Sequence, residues 1–130
     1  ERKLSLPSPR ELLERREDVG GGWVLPAKVD AANVDSMREM GDWLRDKMGS
    51  GVVVLGAVIN DRPSLISMVT PDLRSSGLDA AGIVRGAAKV IGGGGGGRPD
   101  AAQAGGRDAS KLDDALNLVP SLVEEQLGQA

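Results

Sequence analysis

The sequence contains no cysteine and no histidine among its 130 residues. The lack of cysteine excludes disulfide bonds and cysteine nucleophiles, and the lack of histidine removes the most common general base. The two absences together also exclude the usual zinc sites, which are built from cysteine and histidine. A catalytic site within this chain would have only carboxylates, lysine, serine and threonine to work with. We therefore expect no catalytic residue, no metal ligand and no cofactor in it.

Aromatic residues are nearly absent, since Trp23 and Trp43 stand alone and there is no Phe or Tyr. A core must come from Val, Leu, Ile, Ala and Met, and a hydrophobic share of 40% is enough for one domain. No apolar run approaches the roughly 20 residues that span a bilayer, so we expect no membrane segment. The lack of cysteine fits a reducing compartment, and we expect the cytoplasm.

The beginning of the chain has the character of a connector. Ser8, Pro9 and Glu11 form a helix-start pattern, and a polar helix is predicted to run to about Asp18 before three glycines end it. We interpret residues 1–22 as the end of a helical linker and residues 23–130 as a globular domain. Because the chain starts at a charged Glu1 without a signal-peptide pattern, we expect a fragment of a longer protein.

Hydrophobic periodicity predicts the elements of the globular part. In chain order they are a strand over 23–30, a helix over 33–48, strands over 52–59 and 65–70, a helix over 79–91 and a last helix from 108 or 110. Pro26 favours an edge position for the first strand, whose apolar face should include Trp23. Pro120 is expected to kink or split the last helix. The order predicts a small α/β (α+β) domain, in which helices pack on a mixed sheet and a glycine-rich loop joins the last two helices.

Six consecutive glycines precede the last helix: Gly92, Gly93, Gly94, Gly95, Gly96 and Gly97. They suit either a flexible linker or a loop that brings bare backbone close to an anion. Between residues 85 and 111, five cations oppose two carboxylates, which leaves a net +3. Because the whole chain carries −3, the remainder carries −6. This local positive charge favours a contact with a phosphate backbone, although an ordinary solvated surface has the same signature.

The residues after the glycines form a long, gapless pattern. It consists of Arg-Pro-Asp at 98–100, Ala-Gln-Ala-Gly-Gly at 102–106, Asp108, Ser-Lys-Leu at 110–112 and Ala-Leu at 115–116. This pattern resembles the signature near the C-terminus of alanyl-tRNA synthetases, in a globular domain of the DHH-associated domain superfamily. The resemblance covers about residues 23–123. Ala101 departs from it, because that family often has Met or Phe there, and Pro120 is unusual in the final helix.

The resemblance implies a non-catalytic tRNA-binding domain. In that family the domain contacts the outer corner of tRNA, where the D and T loops meet, and so supports aminoacylation and editing by other domains. The partner implied is therefore tRNA that accepts alanine. ATP, Mg²⁺ and Zn²⁺ are implied for other domains of an ATP-dependent alanine–tRNA ligase with editing hydrolase activity.

The candidate RNA-binding residues are the six glycines and the polar residues around them. The polar candidates are Arg85, Lys89, Arg98, Gln103, Arg107 and Lys111. The guanidinium of Arg98 would supply a permanently charged planar donor beside the glycines. Gln103 would either contact a base edge or ribose, or act as a buried amide that ties the segment to its neighbours.

Three other functions remain open from the sequence. One is the C-terminal domain of a free-standing alanyl-tRNA editing protein, which the chain alone does not distinguish from a synthetase. Another is the substrate-binding half of a DHH-type phosphoesterase, although that class would be expected to keep a histidine. The third is homo-oligomerisation. Asp113 and Asp114 are adjacent on a helix and point in different directions, so we interpret them as solvated rather than as a metal site.

Overall fold

A computed structural model describes residues 9–18 and 23–128 of the chain. Its helices are α1 (Pro9–Leu13), α2 (Val34–Met48), α3 (Pro71–Arg74), α4 (Ala80–Val90) and α5 (Leu112–Gly128). Its strands are β1 (Glu17–Asp18), β2 (Trp23–Lys28), β3 (Val52–Ile59), β4 (Arg62–Val69), β5 (Gly94–Gly97) and β6 (Ala101–Gly105). None of the helices in these two segments has the length and apolar character needed to cross a bilayer.

The six strands form one mixed sheet in the order β1-β2-β3-β4-β6-β5. β2 and β3 are parallel, and α2 makes the crossover between them, while all other neighbouring strands are antiparallel. The predicted mixed sheet with packed helices is therefore confirmed. β3 lies in the interior of the sheet, as its continuous apolar sequence predicted, and Val52, Val53, Val54 and Leu55 are fully buried.

The sheet has a hydrophobic core on each face. On one face, α2 and α1 pack over residues such as Leu25, Leu55 and Ile66. On the other face, α4 and α5 pack over residues such as Leu65 and Val54. We call these the α2 face and the α4 face. The helices cover the two faces of the sheet unequally. α2 packs against β3 and β4, whereas α4 extends across β4, β6 and β5.

The predicted boundaries of α2 are confirmed by its capping residues. The Asn33 side chain accepts a hydrogen bond from Ser36 N at 2.8 Å, which satisfies one of the free N–H groups at the helix start. Gly49 ends the helix with a φ of 76°, a conformation that favours glycine. Between these ends, Met37 and Leu44 are fully buried and Met40 and Met48 are half-buried, so the methionine stripe belongs to the core.

The N-terminal helix is shorter than predicted. It ends at Leu13 rather than near Asp18, because Leu12 is buried in the α2-face core and the chain then turns back. Glu17 and Asp18 form β1, which pairs with Val24 and Trp23 of β2. The predicted Ser8 cap and the glycines at 20–22 lie outside the described residues.

β2 is a strand as predicted, but Trp23 is not in the core. Its side chain is 37% exposed, and the Arg16 guanidinium lies 4.6 Å from the ring centroid, a cation–π contact. The burial of Val24 and Leu25 on opposite faces shows that β2 is covered on both sides. Pro26 lies beyond the two residues that pair with β1, so its missing N–H leaves no gap in that ladder.

The end of the chain forms one continuous helix. α5 follows a 3-10 turn (Ala109–Lys111) capped by Asp108, and it runs from Leu112 to Gly128 through Pro120. The expectation that Pro120 splits this helix is therefore wrong. Buried residues of α5 on both sides of the proline, Val119 and Val123 among them, pack into the α4-face core and hold the helix together.

The glycine segment forms a hairpin and not the predicted loop. Gly94 to Gly97 constitute β5, which pairs with β6 at the edge of the sheet. A Cβ on Gly95 would lie 2.5 Å from Ala104 Cα and would collide with the Gln103 carbonyl oxygen, and a Cβ on Gly97 would lie 2.8 Å from Ala102 Cα. A Cβ on Gly94 would meet nothing within 4 Å. Gly95 and Gly97 must therefore lack a side chain, because they lie against the backbone of β6.

A hydrogen-bonded carboxylate fixes the loop after α2 to the start of α3. Asp72 accepts hydrogen bonds from the hydroxyls of Ser50 and Thr70, and Thr70 Oγ1 in turn accepts from Gly51 N at 3.0 Å. The bond from Ser50, followed by that from Thr70, lowers the pKa of Asp72 below its ordinary value of 3.8. This network aligns the entry into β3 with the exit from β4.

We expect Ser50→Ala to reduce stability in a pH-dependent way. Because the folded-state pKa of Asp72 lies below the unfolded value, the stabilisation is complete above pH 3.8 and is lost as the pH falls through the folded pKa. Urea unfolding from pH 7 to pH 2.5 should therefore show a deficit that narrows in acid. Ser75→Ala is the control, because the hydroxyl of Ser75 donates to Pro71 O and not to Asp72. Its effect on the free energy of unfolding should not change with pH. If Ser50→Ala lowered the free energy of unfolding equally at every pH, its stabilising effect would not arise from the ionised Asp72.

We expect Gly95→Ala and Gly94→Ala to differ sharply in stability. Crowding against β6 should cost Gly95→Ala about 1–3 kcal/mol in the free energy of unfolding, as overpacking generally does. Gly94→Ala has open space and should be neutral or slightly stabilising, since alanine restricts the unfolded chain. Urea unfolding of both variants measures the difference. If both variants lost the same free energy of unfolding, close contact with β6 would not be the reason that Gly95 must be glycine.

Candidate nucleic-acid interface

The hairpin β5–β6 is covered by a helix on one side only. On the α4 face, Ala102 is buried and Ala104 packs against the core. On the α2 face, alternation along β6 places Gln103 beside Ile66 and Gly105 beside Ser64 of β4. Gln103 and Gly105 are exposed. We call this part of the α2 face the open shelf, defined by Ser64, Gln103 and Gly105 together with Ala101, which packs against the α2-face core at the end next to α2. Its floor consists of small side chains, apart from Gln103.

One end of the open shelf, next to α2, is a groove of about 390 Å³. Its polar lining includes Arg38, Asp42 and Arg45 from α2, and Arg98, Asp100 and Gln103 from the hairpin, with Gly96 and Gly97 beside them. Arg38 Nη2 donates a hydrogen bond to Gln103 Oε1 at 2.6 Å. We call this the helix-end groove.

The three arginines of the helix-end groove differ in how far their charge is neutralised. Arg45 pairs with Asp42 at 3.2 Å and with Asp46 at 3.7 Å. Arg98 is 82% exposed, and its Nε lies 3.8 Å from Asp100, so this pair is weakened by solvent. Arg38 forms no ion pair with any carboxylate in the described part of the chain. Arg38 and Arg98 are therefore the cations best placed to receive an anion.

The other end of the open shelf is a groove of about 510 Å³ beside the β3–β4 turn. Arg62 and Arg107 line it, together with Asn60 and four glycines at 92, 93, 105 and 106, and its lining contains no carboxylate. Positive φ angles of 54° at Asn60 and 67° at Asp61 make this turn tight, so the strand after it begins at Arg62 and not near residue 65 as predicted. We call this the turn-end groove.

The two grooves are held apart by the length of the hairpin. Gly93 belongs to the turn-end groove and Gly97 to the helix-end groove, and four extended residues span about 13 Å. The open shelf thus presents cations at both ends and exposed, nearly side-chain-free backbone between them. Such a surface suits a folded polyanion whose backbone needs close approach over a short distance.

The residues predicted from sequence fall into four places, one of which is the middle of β5, where Gly94 and Gly95 line neither groove. Gly96, Gly97, Arg98 and Gln103 line the helix-end groove, and Gly92, Gly93 and Arg107 line the turn-end groove. Arg85 and Lys89 are exposed on α4, and Lys111 is exposed on the turn before α5, so these three do not line either groove. Arg85 does reach β5, since its Nη1 lies 3.4 Å from the position that a Cβ on Gly96 would take.

Three further arginines of the site were not identified from the sequence: Arg38, Arg45 and Arg62. The spacing of Arg38, Asp42 and Arg45 places them on one side of α2, which is a detectable signal, but it does not reveal what that side faces. Gln103 is exposed and not buried, but its amide does tie the segment to a neighbour, since it accepts a hydrogen bond from Arg38. Its bond to Arg38 joins residues 65 positions apart, a contact that only the folded sheet creates.

Trp43 and the adjacent pair Asp113 and Asp114 lie away from the open shelf. Trp43 is 37% exposed on α2, with Lys47 Nζ 5.7 Å from its ring centroid, and it lies roughly 140° around the helix from Arg38. Asp113 and Asp114 are both exposed, and Asp113 lies 3.9 Å from Lys28 Nζ. In the described part of the chain, no group of three or more acidic side chains is arranged to hold a metal ion.

Comparison with known proteins identifies related chains. Residues 21–125 match the DHHA1 domain family. The chain is 48% identical over 123 residues to an alanine–tRNA ligase of Dehalococcoides mccartyi and 50% identical over 117 residues to that of Chloroflexus aurantiacus. These matches cover 95% and 90% of this chain but only 14% and 13% of the two ligases, so the chain spans a small part of the length of these relatives.

The fold is also similar to a solved structure. The C-Ala domain from Aquifex aeolicus alanyl-tRNA synthetase superposes with a TM-score of 0.75 at 28% sequence identity, and the match covers 84% of this chain and 97% of that domain. The resemblance to alanyl-tRNA synthetases that the residues 92–116 indicated is therefore confirmed.

Proposed function

This chain belongs to the DHHA1 domain family, and on that premise we propose that it is the tRNA-binding domain of an alanine–tRNA ligase. The observation that carries the proposal is the open shelf, with a cationic groove at each end and exposed glycine backbone between them. The two relatives named above support the choice of tRNA, since both are alanine–tRNA ligases.

The geometry supports recognition of RNA shape. Arg62 and Arg107 at one end and Arg38 and Arg98 at the other are placed to contact two separate stretches of phosphate backbone. The glycines allow the RNA to approach because no side chain stands in the way. The whole chain carries −3, so long-range attraction is absent and binding must arise from these local contacts. We therefore expect modest affinity and little sequence preference for the domain by itself.

Within the parent protein, the domain would hold tRNA for active sites located elsewhere. We propose that it contacts the outer corner of the L-shaped tRNA and that residues 1–22 are the end of a linker, of which α1 and β1 pack against the domain at 23–130. Tethering this weak site to stronger ones raises the overall affinity for tRNA. Aminoacylation with ATP, and the Mg²⁺ and Zn²⁺ implied for the parent, would belong to other domains. The cytoplasm is the compartment in which we expect this function.

The test is to measure tRNA binding by two charge-matched double variants. Arg38→Ala with Arg62→Ala removes one cation from each groove, whereas Arg85→Ala with Lys89→Ala removes two exposed cations of α4 outside both grooves. We expect the first variant to lose most of its affinity for transcribed tRNA. Its log–log salt dependence should flatten by about 0.7 to 0.9 for each phosphate that the variant no longer binds. The α4 variant should lose much less affinity.

A minihelix that lacks the D and T loops serves as the RNA control. The proposal requires that the unmodified chain binds tRNA more tightly than this minihelix. If tRNA and minihelix bind alike, the outer corner is not the target. If the α4 variant loses as much affinity as the shelf variant, RNA lies against α4 and the edge of β5, and not on the open shelf.

A further inference from the structure

The contact between Arg38 and Gln103 fixes the orientation of the amide. Arg38 Nη2 lies 2.6 Å from Gln103 Oε1. Because arginine has donors and no acceptor, the amide atom that faces it must be the oxygen. The amide nitrogen of Gln103 is then the atom left for other contacts, and it has no hydrogen-bond partner among residues 9–18 and 23–128. Both side chains are exposed, so an incoming group can reach them.

This arrangement makes the pair a surface that presents mainly donors, with one lone pair of the amide oxygen as its remaining acceptor. Gln103 has two N–H donors on its free nitrogen, and the guanidinium of Arg38 retains N–H groups beyond the one it shares with Gln103. A free glutamine would recognise adenine by accepting from N6 and donating to N7. Here Arg38 occupies one lone pair of the amide oxygen and places its positive charge beside the other, so the amino donor at N6 of adenine is disfavoured at this amide.

We propose that the Arg38–Gln103 pair binds a group with two adjacent hydrogen-bond acceptors and discriminates against adenine. Two parts of a nucleotide have this chemistry: the oxygens of a phosphate, and the O6/N7 edge of guanine. The inference deepens the proposed function and rests on it, because it names the part of the RNA that the helix-end groove accepts.

The rest of the helix-end groove is consistent with a selective site. Asp42 is engaged by Arg45 at 3.2 Å, so its carboxylate competes less for the pair. Gly96 and Gly97 line the same groove and leave room for a ring or a phosphate beside Gln103. Three arginines and two aspartates line the groove, which leaves a surplus of one positive charge. Because this surplus is small, binding should depend on the fit of the ligand and not on charge alone.

The first experiment follows the side-chain N–H signals of Gln103 and Arg38 by NMR in the ¹⁵N-labelled chain. Guanosine, ribose 5-phosphate and adenosine are titrated separately, so that base edge and phosphate are distinguished. We expect guanosine or ribose 5-phosphate to shift both signals in a saturable way, and adenosine to shift them at least about tenfold more weakly. Equal responses to guanosine, ribose 5-phosphate and adenosine, or no response to any of them, would overturn the inference.

The second experiment compares Gln103→Glu with Arg38→Lys in tRNA binding. Gln103→Glu keeps the shape and the partner of Arg38 but replaces the free donor with a second oxygen and adds a negative charge, so the charge-conserving variant Arg38→Lys separates loss of the donor pair from repulsion. Arg38→Lys keeps the charge but removes the planar fork that holds the amide. We expect each to weaken tRNA binding by about tenfold, as is typical when a bidentate hydrogen-bonded pair is broken. Wild-type binding by either variant would refute the donor pair.

The two proposals fail in different ways. If the unmodified chain does not bind tRNA at all, the proposed function fails, whatever the nucleoside titrations show. If it binds tRNA and the variant lacking Arg38 and Arg62 is impaired while Gln103→Glu is not, the function stands and the donor pair is refuted. Circular dichroism and urea unfolding of Gln103→Glu confirm that any decrease in binding is not a loss of fold.

Discussion

The close contact between β5 and β6 is the constraint on which the site depends. Gly93, Gly95 and Gly97 each lie so near the backbone of β6 that a Cβ would enter it. With those glycines in place, the sheet gains two strands beyond β4. α4 packs across these strands on one face, and much of the other face stays open because α2 packs on β3 and β4 and extends to β6 through the Arg38 side chain. The open shelf is therefore a consequence of how far the sheet extends past one of its helices.

The positions of the charges follow from the same geometry. Arg38 and Arg45 lie on the side of α2 that borders the uncovered strands, and Arg62 begins β4 where the tight β3–β4 turn leaves it beside Gly105 and Arg107. Because the chain has a net charge of −3, any attraction for a polyanion must come from cations that are grouped locally. The two grooves provide that grouping, while the cations of α4 lie outside both of them.

Much of the fold was predictable because local signals agreed with the tertiary environment. The Asn33 cap and Gly49 stop set the limits of α2, and the continuous apolar run at 52–59 indicated a strand buried on both faces. The predictions failed where local signals were weak or were overridden. Six glycines lack the side chains from which strand propensity is judged, so their pairing with β6 was not visible. Pro120 was tolerated because buried contacts on both sides of it hold α5.

The sequence by itself determined the class of the fold, the resemblance to alanyl-tRNA synthetases, and the exclusion of cysteine and histidine chemistry. It also marked Arg98, Gln103 and the glycines, because residue type and spacing along the chain carry that information. Only the tertiary structure decided which cations share a surface. Arg38 meets Gln103 across 65 positions, and Arg85 and Lys89 lie outside both grooves although they are nearer to the glycines in sequence. The physical reason is that sheet order and helix coverage, which arise from long-range packing, decide which side chains become neighbours.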